Sequence, residues 1–254
     1  MKEIISLEKT GAVATVTIDR GGKRNALSQE MVLRLTDIAL ALQQDTSVAC
    51  IVLSGNQNEF SAGIDLGDAT RWSLDDKTQL ERRAIALRGT RLCKAWEDLP
   101  QITIAAVEGM NVGGGIALTL ACDWRVMGKS AFLFVPEVQI GIPLGWQTIP
   151  RLVNLVGPAR AKQIVLLGEK MSADTALEWG VADFVVADGA ARAHAQDLAA
   201  RIGKMPELAV RMSKQSINAY ANALNHLGSH MDVDQAMLCG QTQDAVAVRD
   251  RYAR

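Results

Sequence analysis

The sequence predicts an α/β fold with a helical C-terminal region, and three observations carry that reading. Short β-branched runs alternate with stretches of helical periodicity as far as residue 189. The first two runs flank Lys9-Thr10-Gly11, as the strands of a hairpin would. No strand pattern recurs after Gly189. This shift is the only candidate boundary, so residues 1–189 read as a β/α core and residues 190–254 as a helical region.

The elements follow in order. Ile4 to Leu7 and Val13 to Ile18 form the hairpin. Arg20-Gly21-Gly22-Lys23-Arg24-Asn25 is a basic loop. Ser28 then caps a helix that has Glu30 in its first turn and Met31, Leu35, Ile38 and Leu42 on its buried face. Val48 to Leu53, β-branched and apolar, reads as a buried parallel strand. Ser54 to Arg71 is mostly loop. Leu74 to Leu99 reads as helical, with Leu80, Leu87, Leu92 and Trp96 on or near one face, until Pro100 stops it. Ile102 to Val107 is the next strand, followed by a loop holding Gly113-Gly114-Gly115 and a short buried helix. Asp123 to Met127 and Ala131 to Phe134 are further strands, the second ending at Pro136-Glu137. A turn rich in Pro and Gly, Gly141 to Trp146, leads into helical patterns through Leu155 and from Pro158 to Leu167. Ser172 caps a helix that ends at Gly180, and Val181 to Val186 is the last strand. Helices cover Ala190 to Ile202, Pro206 to Ala223, and part of Ser229 to Val248.

Composition removes several function classes. The formal net charge is −1 with no long block of like charge, so neither nucleic acid nor an anionic membrane surface is an expected partner. The basic residues from Arg82 to Arg91 are interrupted by apolar ones at helical spacing, as on a solvated helix face. The N-terminus carries charges where a signal peptide needs an apolar run, and no stretch approaches the roughly 20 apolar residues of a membrane span. Cys50, Cys93, Cys122 and Cys239 are scattered, which suits buried thiols in a reducing cytoplasm. His226 and His230 are four residues apart but lack a third ligand, so no metal is expected.

The chemistry centres on the triple glycine. No Gly-Lys-Ser/Thr follows it and the G-x-G-x-x-G spacing is absent, which argues against a nucleotide phosphate site. On these glycines alone, close helix–strand packing explains the stretch as well as an anion cradle does. A second loop, Phe60-Ser61-Ala62-Gly63-Ile64-Asp65-Leu66, also follows a strand and also offers small residues before a backbone N–H. Two such loops are what an oxyanion hole requires, and each fixed donor is worth roughly 3 kcal/mol in a dry site.

These residues carry a resemblance. Ser61-Ala62-Gly63-Ile64-Asp65-Leu66 resembles the A-G-x-D-[LI] motif of the crotonase (enoyl-CoA hydratase/isomerase) superfamily. Ile104 to Gly109, Gly113-Gly114-Gly115 and Ala121-Cys122-Asp123 resemble its long signature. Lys23 to Leu27, Pro136-Glu137 with Gly141-Ile142-Pro143, and Ala173 to Val186 match further segments in the right order. The family's C-terminal Glu-Gly-x-x-Ala-Phe is missing, the nearest text being Gln243 to Val248. The resemblance implies a crotonase-like spiral of ββα units. The helical region would serve trimerisation and cover the active site. The substrate would be an acyl-CoA thioester, with no cofactor beyond its own coenzyme A, and the assembly a homotrimer or hexamer. It further implies that the N–H groups of Ile64 and Gly114 form the oxyanion hole, and that Arg24, Ala26, Ala62, Asp65 and Leu66 line the CoA side, largely through backbone contacts.

Hydratases of the family use two glutamates. Here the first position is Ala117 and the second is Glu137. Hydration needs a water held from two sides, whereas moving a double bond from position 3 to position 2 needs one base that takes a proton from C2 and returns it to C4. The resemblance therefore points to a 3-enoyl-CoA isomerase of fatty acid metabolism with Glu137 as catalytic residue. Ala117, Ile116, Leu118, Pro143 and Trp146 would wall the site, and Ser73 to Arg91 would border the acyl pocket. The alternatives are an enoyl-CoA hydratase or other crotonase-type lyase or hydrolase, and a non-catalytic acyl-CoA-binding protein.

Overall fold

The computed structural model describes residues 4–72 and 74–252, with side chains through residue 248. Ser73, part of the expected acyl border, lies outside the described residues. Strands β1 (Ile5–Thr10) and β2 (Val13–Ile18) form the antiparallel hairpin. Helix α1 (Gln29–Gln43) returns the chain to β3 (Cys50–Ser54), which runs parallel to β2. The Ser28 hydroxyl accepts the Met31 N–H at 3.3 Å, and Met31, Leu35, Ile38 and Leu42 are buried at the expected spacing.

Helices α2 (Ala69–Trp72), α3 (Gln79–Ala86) and α4 (Arg88–Glu97) precede β4 (Ile102–Val107). The expected continuous helix from Leu74 to Leu99 is therefore two helices with a late start. Thr78 and Glu81 form a reciprocal capping box that fixes the beginning of α3, and the chain bends at Leu87. Leu80 is 78% exposed, off the buried face expected for it.

Strand β5 (Met110–Val112), helix α5 (Gly114–Leu120), β6 (Trp124–Gly128) and β7 (Phe132–Phe134) follow. Next come α6 (Thr148–Lys162), β8 (Met171–Ser172), α7 (Ala173–Trp179) and β9 (Phe184–Val186). The C-terminal helices are α8 (Ala191–Ile202), α9 (Glu207–Ala221), α10 (Asn225–Ser229), α11 (Asp232–Cys239) and α12 (Gln243–Tyr252).

Six strands form one sheet in the order β1-β2-β3-β4-β6-β9, parallel after the hairpin, and β5-β7-β8 form a second. All residues of β3 and β4 are buried, as strands covered on both faces must be. Their alternation separates two cores. Ile51, Leu53, Ala105 and Val107 pack with the stripe of α1 and with Leu92 and Trp96 of α4. Cys50, Val52, Ile104 and Ala106 pack with Ala191, Ala195, Leu198 and Ala199 of α8. The helix that follows the compositional boundary thus closes one face of the main sheet. No helix among the described residues is long and apolar enough to cross a membrane.

Candidate active site

The two glycine-containing loops meet. The chain from Phe60 to Ser61 runs beside β5: both N–H groups reach the Met110 carbonyl at 3.1 Å, and Val112 N–H reaches the Ser61 carbonyl at 3.0 Å. On its other side the loop pairs with residue 27. Leu27 N–H donates to Gly63 O at 2.7 Å and Asp65 N–H to Leu27 O at 3.0 Å. In such a parallel bridge the intervening residue, Ile64, turns its own N–H away from Leu27. Gly114 is the first residue of α5, where an N–H has no intrahelical acceptor and the helix dipole is positive. A carbon placed on Gly114 would lie 3.2 Å from Ile64 Cγ1, so the two residues are in contact. Asn111, fully buried, gives its amide to Thr119 Oγ1 at 3.0 Å and ties β5 to α5.

Glu137 faces this pair. It opens a 3₁₀ turn, Glu137–Ile140, whose C-cap is Gly141 at φ +78°. Gly113 has φ +47°, and a Cβ there would run into Glu137 Oε1, so glycine is needed both for the turn and for the carboxyl's approach. Glu137 is 8% exposed, and its Oε2 has no hydrogen-bond partner. Burial without a cation pushes its carboxyl up to about 7, where it can hold or release a proton near neutrality.

The cavity of about 70 Å³ between these groups is walled by Ile64, Gly114, Ala117, Glu137, Pro143 and Trp146, which brings together the two expected donors, the acid and all three acyl-pocket candidates. Ile116 and Leu118 are not on this wall. They flank Ala117 on the helix, and neighbours one residue apart point to other faces, so both side chains fill the main core.

Trp146 and Gln147 have φ of +60° and +58°, an unusual conformation for large side chains. Three groups hold it. Asp232 accepts the Gln147 N–H at 2.9 Å, and Arg151 donates to the carbonyls of Trp146 and Gln147 at 2.8 and 3.1 Å. Glu97 orients Arg151 at 2.7 Å. The indole fills the space a side chain at Gly89 would take. Gly89→Ala is expected to cost about 1–3 kcal/mol by overpacking, read as a lowered Tm together with a shifted Trp fluorescence.

Two charged residues join the cavity wall beyond those expected from the sequence. Asp232 comes from α11, and burial pushes its carboxyl above the ordinary range. Arg71 comes from α2 and stands near two indoles, Trp72 at 5.2 Å and Trp146 at 6.0 Å. Only an Arg-Trp pair after the Ala-Gly-x-Asp motif, and an acidic first turn in a late helix, marked them in sequence.

The expected CoA-side residues occupy the adjoining loops. Arg24 is exposed, in a left-handed turn at φ +49°, and its carbonyl accepts Ala62 N–H at 2.8 Å. Ala26 is buried and Ala62 half-buried. Leu66 lines a second cavity of about 620 Å³ that shares Arg71 with the first. Asp65 has an architectural tie that the sequence did not reveal: Arg20 donates to it at 2.7 Å. Its burial opposes ionisation, but Arg20, the Gly67 N–H and Lys23 outweigh that and hold it below the usual carboxylate range. Among the described residues no group of three or more His, Cys, Asp or Glu side chains gathers as a metal site.

Comparison with known proteins matches residues 8–251 to the model of the enoyl-CoA hydratase/isomerase family. A short-chain-enoyl-CoA hydratase of Clostridium acetobutylicum is 31% identical over 92% of this chain and 85% of its own. A crotonyl-CoA hydratase of Syntrophomonas wolfei is 32% identical over 95% and 92%. Among solved structures, Pseudomonas aeruginosa OdaA superposes with a TM-score of 0.88 at 27% identity, covering 99% of both chains.

Proposed function

This chain belongs to the enoyl-CoA hydratase/isomerase family, and from that premise we propose that it moves the double bond of a 3-enoyl-CoA from position 3 to position 2. One observation carries the reading: Glu137 stands beside the Ile64 and Gly114 N–H groups with a methyl group, Ala117, where a second glutamate would hold water. The thioester oxygen rests between the two N–H groups. Glu137 removes a proton from C2, the negative charge passes to that oxygen as an enolate, and the same carboxylic acid delivers the proton to C4 while the double bond forms between C2 and C3. No atom is gained or lost.

Hydration of a 2-enoyl-CoA is the second reading. The relatives named above as hydratases support it, as does the Asp232 carboxyl on the same cavity wall, a second acid supplied from a different element. Absorbance of the conjugated thioester separates the two. A rise with a 3-enoyl-CoA supports isomerisation. A fall with a 2-enoyl-CoA and no change with the 3-enoyl compound overturns it. If a missing carboxylate is what bars hydration, Ala117→Glu should introduce that activity.

Assembly as a homotrimer or a pair of trimers belongs to the same proposal. Leu208, Met212, Ile217, Tyr220, Leu224 and Leu227 of the C-terminal region expose apolar surface that self-association would cover. Light scattering should give three or six chain masses; a monomer would refute it.

A further inference from the structure

Arg71 forms no ion pair among the described residues, and Asp68 acts on its charge only from a distance. Its Nε is buried and makes no hydrogen bond, and among the described residues no carboxylate lies within ion-pair distance of it. The nearby acids are engaged elsewhere. Asp68 accepts from Gln29 N–H at 2.7 Å and from the Thr70 N–H and hydroxyl at 3.0 and 2.6 Å. Asp65 is held by Arg20, and Asp232 takes the Gln147 N–H. Desolvation pulls the Arg71 guanidinium down to about 10, so it is still charged at neutral pH. The rings of Trp72 and Trp146 stabilise it through their faces, and among the described residues no acceptor takes the in-plane donors of the fork.

Its position says what the missing anion is attached to. Arg71 lies on the wall common to the reaction cavity and the larger cavity beside it. The Trp146 ring it approaches also lies 3.1 Å from where a side chain on Gly114 would begin, so Arg71 and the oxyanion donor share one aromatic neighbour. The phosphates of coenzyme A are separated from the thioester by the whole pantetheine arm and do not come this near the reacting carbons. Arg82, on the wall of the larger cavity, is already bound to the Lys77 and Asp75 carbonyls at 3.0 and 3.4 Å. Among the described residues of this wall, Arg71 is the cation whose buried Nε has no acceptor.

We infer that Arg71 receives a carboxylate at the far end of the substrate's acyl chain, so that the site selects ω-carboxyacyl-CoA thioesters over neutral ones. A carboxylate is planar and matches the guanidinium fork with two hydrogen bonds. It also supplies a countercharge in direct contact, which Asp68 provides only from a distance. The inference rests on the acyl-CoA reading of the site and deepens it by naming the acyl class.

The test uses saturated thioesters, which bind without reacting, and so does not depend on whether the enzyme isomerises or hydrates. Calorimetric titration of the full chain with adipyl-CoA and hexanoyl-CoA compares equal lengths with and without the carboxylate; five- and eight-carbon pairs cover other depths. Adipyl-CoA, or the pair that fits best, should bind about ten- to a hundredfold more tightly than its neutral partner. Arg71→Met should erase that difference and leave hexanoyl-CoA affinity within about twofold, which also shows that the variant folds. Equal affinities for every pair in the wild type would overturn the inference, even if turnover of a neutral 3-enoyl-CoA is found. Equal losses for both members of a pair in Arg71→Met would overturn it too, because the arginine would then be supporting the wall or reading a phosphate. Should Arg71→Met fail to fold, Arg71→Lys keeps the charge without the fork, and an undiminished preference there refutes bidentate recognition.

Discussion

Glu137→Gln is expected to lower kcat with a 3-enoyl-CoA by about 10²- to 10⁴-fold, the usual worth of a positioned acid–base, while the protein stays folded. The amide keeps the shape of the carboxyl but cannot carry the proton from C2 to C4. Activity in the wild type should rise with pH and level off above about 7, since the ionised form abstracts the proton. The same group gives a stability signature of opposite sense. Its proton is held more tightly in the fold, up to about 7, than in the open chain near 4.5. The stability this contributes is complete below pH 4.5 and disappears as pH rises through about 7. Its size is about 3 kcal/mol, from the shift between the two states. Denaturant titrations at pH 5 and pH 8 should therefore show the wild type losing stability relative to Glu137→Gln. Parallel pH profiles would mean that the carboxyl is better solvated than its burial indicates, and unchanged kcat would remove it from the chemistry.

Gly114→Pro is expected to lower kcat by about 10²- to 10³-fold, the effect of deleting one oxyanion donor. A backbone N–H cannot be removed by ordinary side-chain exchange, but the first position of a helix accepts proline because its N–H is not needed for the helix itself. The control is Gly114→Ala. Both variants place a Cβ 3.1 Å from the Trp146 ring, and only proline also exchanges the N–H for a ring carbon. The ratio of alanine to proline rates separates the effect of replacing the N–H by the proline Cδ from the crowding of the Cβ. Equal rates would show that Gly114 shapes the cavity without holding the enolate.

Much of this site was readable in sequence because it is written in short segments. The Ser28 cap, the stripe of α1 and both glycine loops depend on neighbours a few residues apart, and the structure has them where local periodicity and turn chemistry place them. What stayed hidden depends on contacts between distant residues. Asp232 matters because α11 folds back onto Gln147, and Asp65 because Arg20 reaches it from another loop. Strands β5 and β8 span three and two residues, too short for an alternation to show. The bend at Leu87 likewise has no proline or glycine at the break itself. The sequence suggests Ile116 and Leu118 as cavity walls beside Ala117, and helical geometry turns them into the core instead.

The hold of Asp232 on the Gln147 N–H also sets an order of events during synthesis. Ile64, Gly114 and Glu137 are all polymerised by residue 137, whereas the carboxylate that pins the Trp146–Gln147 turn is Asp232, almost a hundred residues later. During synthesis the cavity carboxyl of Glu137 is therefore made well before the residue that fixes the Trp146 side of the same cavity.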